Sequence, residues 1–228
     1  MNVKSTLQGK FRSSSLTLGV KTMTINKWGG LASFLIAVSF VVAPLIYLTG
    51  NLRDAVGGFA YDLADFLYGP ILSASLITVI YVLRERIGER AFRRMDLALL
   101  AAVLSAVGMA AVAFIRASNR HYHLIHPELN LENSTTVLIV WTTLVAGVSA
   151  IGFHFLGWTF LLLGSASWTS HLFPHLLNAF YFIAGVSSLF VYLVPNLEVF
   201  VLLLGTIIGV WQGILLWNYD IRKYTKAG

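Results

Sequence analysis

The sequence has no cysteine among its 228 residues. That absence excludes disulfides, thiolate metal sites, a cysteine nucleophile and thioether-attached haem. Charge is scarce as well: Asp, Glu, Lys and Arg make up 11% of the chain, against roughly 25% in an ordinary soluble domain. Intrinsic disorder is excluded, because its signature is low hydrophobicity and this chain is 57% hydrophobic with a mean hydropathy of +0.76. The strict polar–apolar alternation of a membrane barrel is missing. So are a Walker or dinucleotide glycine motif and a lysine inside the last apolar run, which a retinal protein needs. What is present in quantity is long apolar segments, and these define a polytopic membrane protein.

A bilayer core about 30 Å thick needs about 20 largely apolar residues per spanning helix. Six runs meet that length: about Leu31 to Leu48, Ala60 to Leu83, Leu97 to Ile115, Thr135 to Gly164, Phe173 to Val194 and Val199 to Trp217. Backbone groups in lipid must be paired within their own segment, so each run reads as a helix. The fourth, at 1.5 Å per residue, reaches roughly 45 Å and has to tilt, kink or project beyond the lipid. The expected fold is therefore all-α, a polytopic integral membrane bundle of six transmembrane helices. Residues 28–218 form its membrane domain, 1–27 a flexible basic tail and 219–228 a C-terminal tail.

Cation placement sets the expected orientation. Thirteen of the sixteen Lys and Arg lie in the N-terminal tail (Lys4, Lys10, Arg12, Lys21, Lys27), the second link (Arg84, Arg86, Arg90, Arg93, Arg94) and the C-terminus (Arg222, Lys223, Lys226). Only Arg53, Arg116 and Arg120 fall on the other side of a six-helix topology. Both termini are therefore expected in the cytoplasm, with a bacterial inner membrane as the setting. The net charge of +6 is an orientation signal rather than a nucleic-acid signal. Trp28, Trp168, Trp211, Trp217 and Tyr219 stand at or near span ends, as interfacial aromatics do.

Ionisable groups within or against the membrane are functional candidates by default. Asp62 and Asp65 are three residues apart at the outer entrance of the second helix, followed by Tyr68, and share a helix face. A run expected to be the outer loop, Arg116 to Ser134, carries Arg116, Arg120, His121, His123 and His126, then Glu128 and Glu132. The histidines and carboxylates suit zinc or another borderline divalent metal, and the arginines suit an anionic group. His154 is the one ionisable residue deep in a span. Gly152, Gly157 and Ser149 around it permit the close approach of another helix. Asp62, Asp65, Tyr68, Arg116, Arg120 and His154 are thus the expected ligand-binding set, with His121, His123 and His126 as metal candidates. The short segment Tyr47–Leu52 is echoed by Tyr192–Leu197, too briefly in so biased a composition to establish a repeat.

Two family resemblances accompany this reading. Trp28-Gly29-Gly30-Leu31-Ala32-Ser33-Phe34 and Gly157-Trp158, with the size and span count, resemble the bacterial membrane proteins grouped as domain of unknown function 4386. That resemblance implies a six-helix membrane fold and supplies no activity. His171 and His175, in an HxxxH spacing interrupted by Pro174, resemble one element of the alkaline-ceramidase and progestin-receptor superfamily. That family is built of seven helices and implies a zinc-dependent hydrolase, with a Ser, an Asp and a further His at the same membrane level. Here Asp62 and Asp65 fall on the opposite side of the expected topology.

The leading expectation is a non-enzymatic membrane protein with an outward-facing polar pocket for a small ligand, ion or lipid, acting as a sensor or minimal transporter. The pocket's mouth would carry the outer Asp, Arg and His residues, with His154 deeper. The alternatives are an intramembrane metal-dependent hydrolase using His154, His171 and His175 with a carboxylate, and an accessory subunit. Expected partners are the bilayer, the ligand, and a second copy or a membrane partner subunit; nucleic acid is not among them.

Overall fold

The structure is a computed structural model that describes residues 3–49, 51, 54–55, 57–126 and 135–224, with side chains within 25–218. All regular structure among the described residues is helical. Helix α1 is Val3–Leu48, and it already includes most of the segment expected to be a flexible tail. Then come α2 (Ala60–Phe66), a π-turn (Leu67–Ile71) and α3 (Leu72–Ile87), which together make one continuous rod. After a 3₁₀ turn, Gly88–Ala91, the chain forms α4 (Phe92–Ile125), α5 (Thr135–Ser170), α6 (His175–Leu189) and α7 (Leu197–Tyr224).

Among the described residues, four stretches are long and apolar enough to cross a membrane: Ile25–Leu48, Ala60–Ile125, Thr135–Ser170 and Leu197–Asn218. The second is a hairpin, because the chain turns at Gly88, whose φ of 59° favours glycine, and α3 then packs against α4. Helix α6 is shorter than the expected run, 15 residues or about 22 Å. Pro174 precedes it with an extended ψ of 147°, and the chain leaves the helix at Phe190. The expected span from Phe173 to Val194 is therefore trimmed at both ends. Helix α5 is 36 residues long and unbroken, so the fourth expected span holds as a single rod.

The helices pack in chain order, α1 on α3, α3 on α4, α4 on α5, α5 on α6 and α6 on α7, and α7 returns to α1 to close the ring. Lipid tails give no hydrophobic drive for helices to associate, so packing depends on small residues and buried hydrogen bonds. Three seams follow this rule. A Cβ on Gly108 of α4 would stand 2.8 Å from the Gly152 Cα of α5, and Ser105 Oγ donates to the Gly152 carbonyl at 2.9 Å. A Cβ on Gly157 would stand 2.8 Å from the Gly185 carbonyl of α6, and Ser188 Oγ donates to the Phe153 carbonyl at 2.7 Å. Gly205, Gly209 and Gly213, at four-residue intervals, bring α7 against Phe40, Ser33 and Phe34 of α1. The interior holds Phe153, Leu156, Phe160, Met95, Met109, Leu177 and Tyr181. Tyr181, inside the ring, donates to Gln212 Oε1 on α7.

At the end carrying the second link, Arg84 Nε meets Asp96 Oδ1 at 2.6 Å and Arg94 Nη1 donates to Thr169 Oγ1 at 2.7 Å. These contacts tie α3, α4 and α5 together below the Gly88 turn. The opposite end holds the other charged cluster.

Candidate functional site

The expected outer loop is corrected at its first half. Arg116 to Ile125 is the last part of α4, and the helix ends only at His126, the residue before Pro127. Nothing in Arg116–Ile125 breaks a helix, and its polarity is answered by carboxylates on the neighbouring rod. Being helical, it places Arg116, Arg120 and His123 on one face.

Arg120 is the centre of the cluster. Its Nη2 lies 2.7 Å from Asp62 Oδ1 and its Nη1 lies 2.7 Å from Asp65 Oδ2. The two carboxylates differ sharply in environment: the Asp65 side chain is 3% exposed and that of Asp62 is 49% exposed. Their three-residue spacing on α2 presents both to a single guanidinium. Tyr47, near the end of α1, donates its hydroxyl to Asp65 Oδ1. The Arg116 guanidinium lies 5.2 Å from the Tyr47 ring centroid and that of Arg120 lies 5.6 Å from the Tyr61 ring, with the two tyrosine rings 5.4 Å apart. Each guanidinium thus lies near a tyrosine ring, and the two rings are tilted at 40° to one another.

Below it, Pro70 lacks an amide hydrogen and would leave a carbonyl of the preceding turn unpaired in a regular α-helix. The π-turn absorbs the mismatch at Leu67–Ile71, and it buries Tyr68 while Gly69 packs on Ala113 of α4. Tyr68 lies one turn beyond Asp65 on the same rod, and Glu198 stands in the first turn of α7. Five of the six expected ligand-binding residues, Asp62, Asp65, Tyr68, Arg116 and Arg120, therefore gather at one end of the ring.

His154 does not join them. It is exposed on the outward face of α5, where the Trp158 indole N–H donates to its Nε2 at 3.2 Å. Gly152 and Gly157 do admit close helices, as their size suggests, but on the faces that meet α4 and α6. The three metal candidates diverge because the helix continues through them. His121 Nε2 is 3.8 Å from Asp62 Oδ1, His123 faces α5, and the His126 ring lies 4.7 Å from the Tyr122 ring. Among the described residues no three His, Asp or Glu side chains converge as a metal site. Glu128 and Glu132 lie outside the described residues. His171 and His175 have ring centroids 6.3 Å apart at the turn between α5 and α6, away from the Arg120 cluster.

A cleft opens beside Arg120, between α4 and α5, with a volume of about 510 Å³. Its polar wall is Asn119, Arg120, His123 and the Trp141 indole; Leu124, Val137 and Leu138 form the apolar wall, and Gly58 sits at the edge. Tyr47, Tyr61, Asn119, Trp141 and Glu198 were not reachable by residue type alone. The two tyrosines and Trp141 read as ordinary interfacial aromatics, and only the Tyr47–Leu52 echo drew notice to that end of α1. The chain matches no protein-family model, no curated protein and no solved structure.

Proposed function

We propose that this is a six-crossing membrane protein with both ends in the cytoplasm, in a bacterial inner membrane, whose outward-facing polar pocket binds a small ligand, ion or lipid. The hairpin at Gly88 then counts as two crossings and α6 as a short fifth. Lys and Arg favour the cytoplasmic side of short loops, and the Arg84–Arg94 link stands at the opposite end of α4 from Arg120. The observation that carries the binding reading is Asp65: a carboxylate 3% exposed, held by an arginine that also lines an open cleft. Charges at such depth are costly and are kept where they line a polar cavity or path. Binding with release to one side suits a sensor or a minimal transporter.

The absence of cysteine gives a clean background for the test. In intact cells, a membrane-impermeant maleimide should label Leu124→Cys directly and Glu89→Cys only after permeabilisation. Labelling of both from outside, or of Glu89→Cys alone, would overturn the topology and with it the outward pocket.

A further inference from the structure

The cleft has features that go beyond a generic polar pocket. Its polar wall is rich in donors: the Arg120 guanidinium, the Asn119 amide and the His123 imidazole, beside the Trp141 ring. No carboxylate lines this wall among the described residues; Asp62 and Asp65 hold Arg120 without facing the cleft. A fixed cation beside neutral donors suits an acceptor, and arginine favours phosphate and carboxylate groups.

A shallow, open depression beside the cleft shares Asn119 and Trp141 with it. Phe114, Ile115, Ser118 and Tyr122 complete its wall, and Phe114 is 60% exposed on the lipid-facing surface of α4. The cleft's donor-rich wall therefore stands beside a mainly apolar surface. The cleft's volume of about 510 Å³ falls within the range of small-molecule sites, roughly 300–1,000 Å³.

We infer that the α4–α5 cleft takes a phosphate-bearing amphiphile. Its head is received by Arg120, His123 and Asn119, and its chain runs along Phe114, Ile115 and Tyr122. Asp65 and Asp62 fix the guanidinium in place, and the half-exposed Asp62 contact can yield to an incoming phosphate oxygen. This inference rests on the outward-facing pocket proposed above and names its ligand class.

The test uses the full chain carrying Leu124→Cys, which reports on the cleft wall and leaves every donor in place. Labelling from outside in intact cells comes first, since its failure removes the outward pocket itself. In purified protein in maltoside micelles, lysophosphatidic acid should slow maleimide labelling at least about ten-fold, while inorganic phosphate and a monoacylglycerol of equal chain length should not. Asn119→Ala, which removes a donor from the cleft wall, should raise the half-protecting concentration about five-fold. Arg120→Gln should raise it further.

Equal protection by inorganic phosphate would make this a small-anion site, and equal protection by the monoacylglycerol an apolar groove; either overturns the inference. External labelling with no protection by lysophosphatidic acid overturns it too and leaves the outward pocket standing. So does protection that neither substitution weakens.

Discussion

Arg120 pairs with two carboxylates at the same 2.7 Å distance, yet the two contacts should differ several-fold in energy because one partner is buried and the other is not. Replacing Arg120 with Gln leaves Asp65, 3% exposed, as an uncompensated charge. Breaking a buried pair in this way costs about 3–5 kcal/mol, most of it the penalty of the orphaned partner. Asp62 is 49% exposed, so water and salt screen its pair and its removal should cost about 0.2–1 kcal/mol. The sharpest form is a pair of double-mutant cycles. Arg120→Gln with Asp65→Asn removes both charges and should recover much of the single-variant loss. Arg120→Gln with Asp62→Asn should recover almost nothing, since Asp65 remains stranded. The assay is reversible unfolding of the purified protein in mixed micelles, followed by helical circular dichroism. Equal coupling energies in the two cycles, or a larger one for Asp62, would refute the burial argument and the placement of Asp65 under its tyrosine cover.

Gly209→Ala puts a Cβ 2.8 Å from the Ser33 carbonyl oxygen, so the α1–α7 seam must part, at a cost of about 1–3 kcal/mol in the same unfolding assay. Gly147→Ala on α5 meets nothing within 4 Å and should be neutral or, through helix propensity, up to about 1 kcal/mol stabilising. His154→Phe should stay within about 0.5 kcal/mol and leave protection of the cleft unchanged, because the side chain lies on the outward surface of α5. Loss of protection there would put His154 back in the pocket. Tyr181→Phe removes the donor to Gln212 Oε1 at a fully buried position and should cost about 1–3 kcal/mol, read as a lowered unfolding midpoint.

What the sequence determined by itself is what depends on local composition. Apolar runs and their lengths announced an all-helical membrane protein, and the unbroken run after Thr135 announced a single long rod. The acid pair was legible because a three-residue spacing on a helix permits only one relative placement. The helical state of Arg116–Ile125 was not legible, because Arg, Asn and His in series look like a solvated loop when the carboxylates that answer them lie 50 residues or more upstream.

The same limit applies to His154 and Tyr47. Helix α5 is apolar almost all the way round, so no pattern says which face turns inward; only the glycine contacts with α4 and α6 settle that, and they turn His154 out. Tyr47 sits at a span end like any interfacial aromatic, and becomes a ligand of Asp65 only because α1 and α2 meet there. Composition and period act along the chain and fixed the elements. The choice of which few polar groups converge, and on which side of Arg120 a cleft opens, is made by packing between segments far apart in sequence. Only the tertiary structure could decide it.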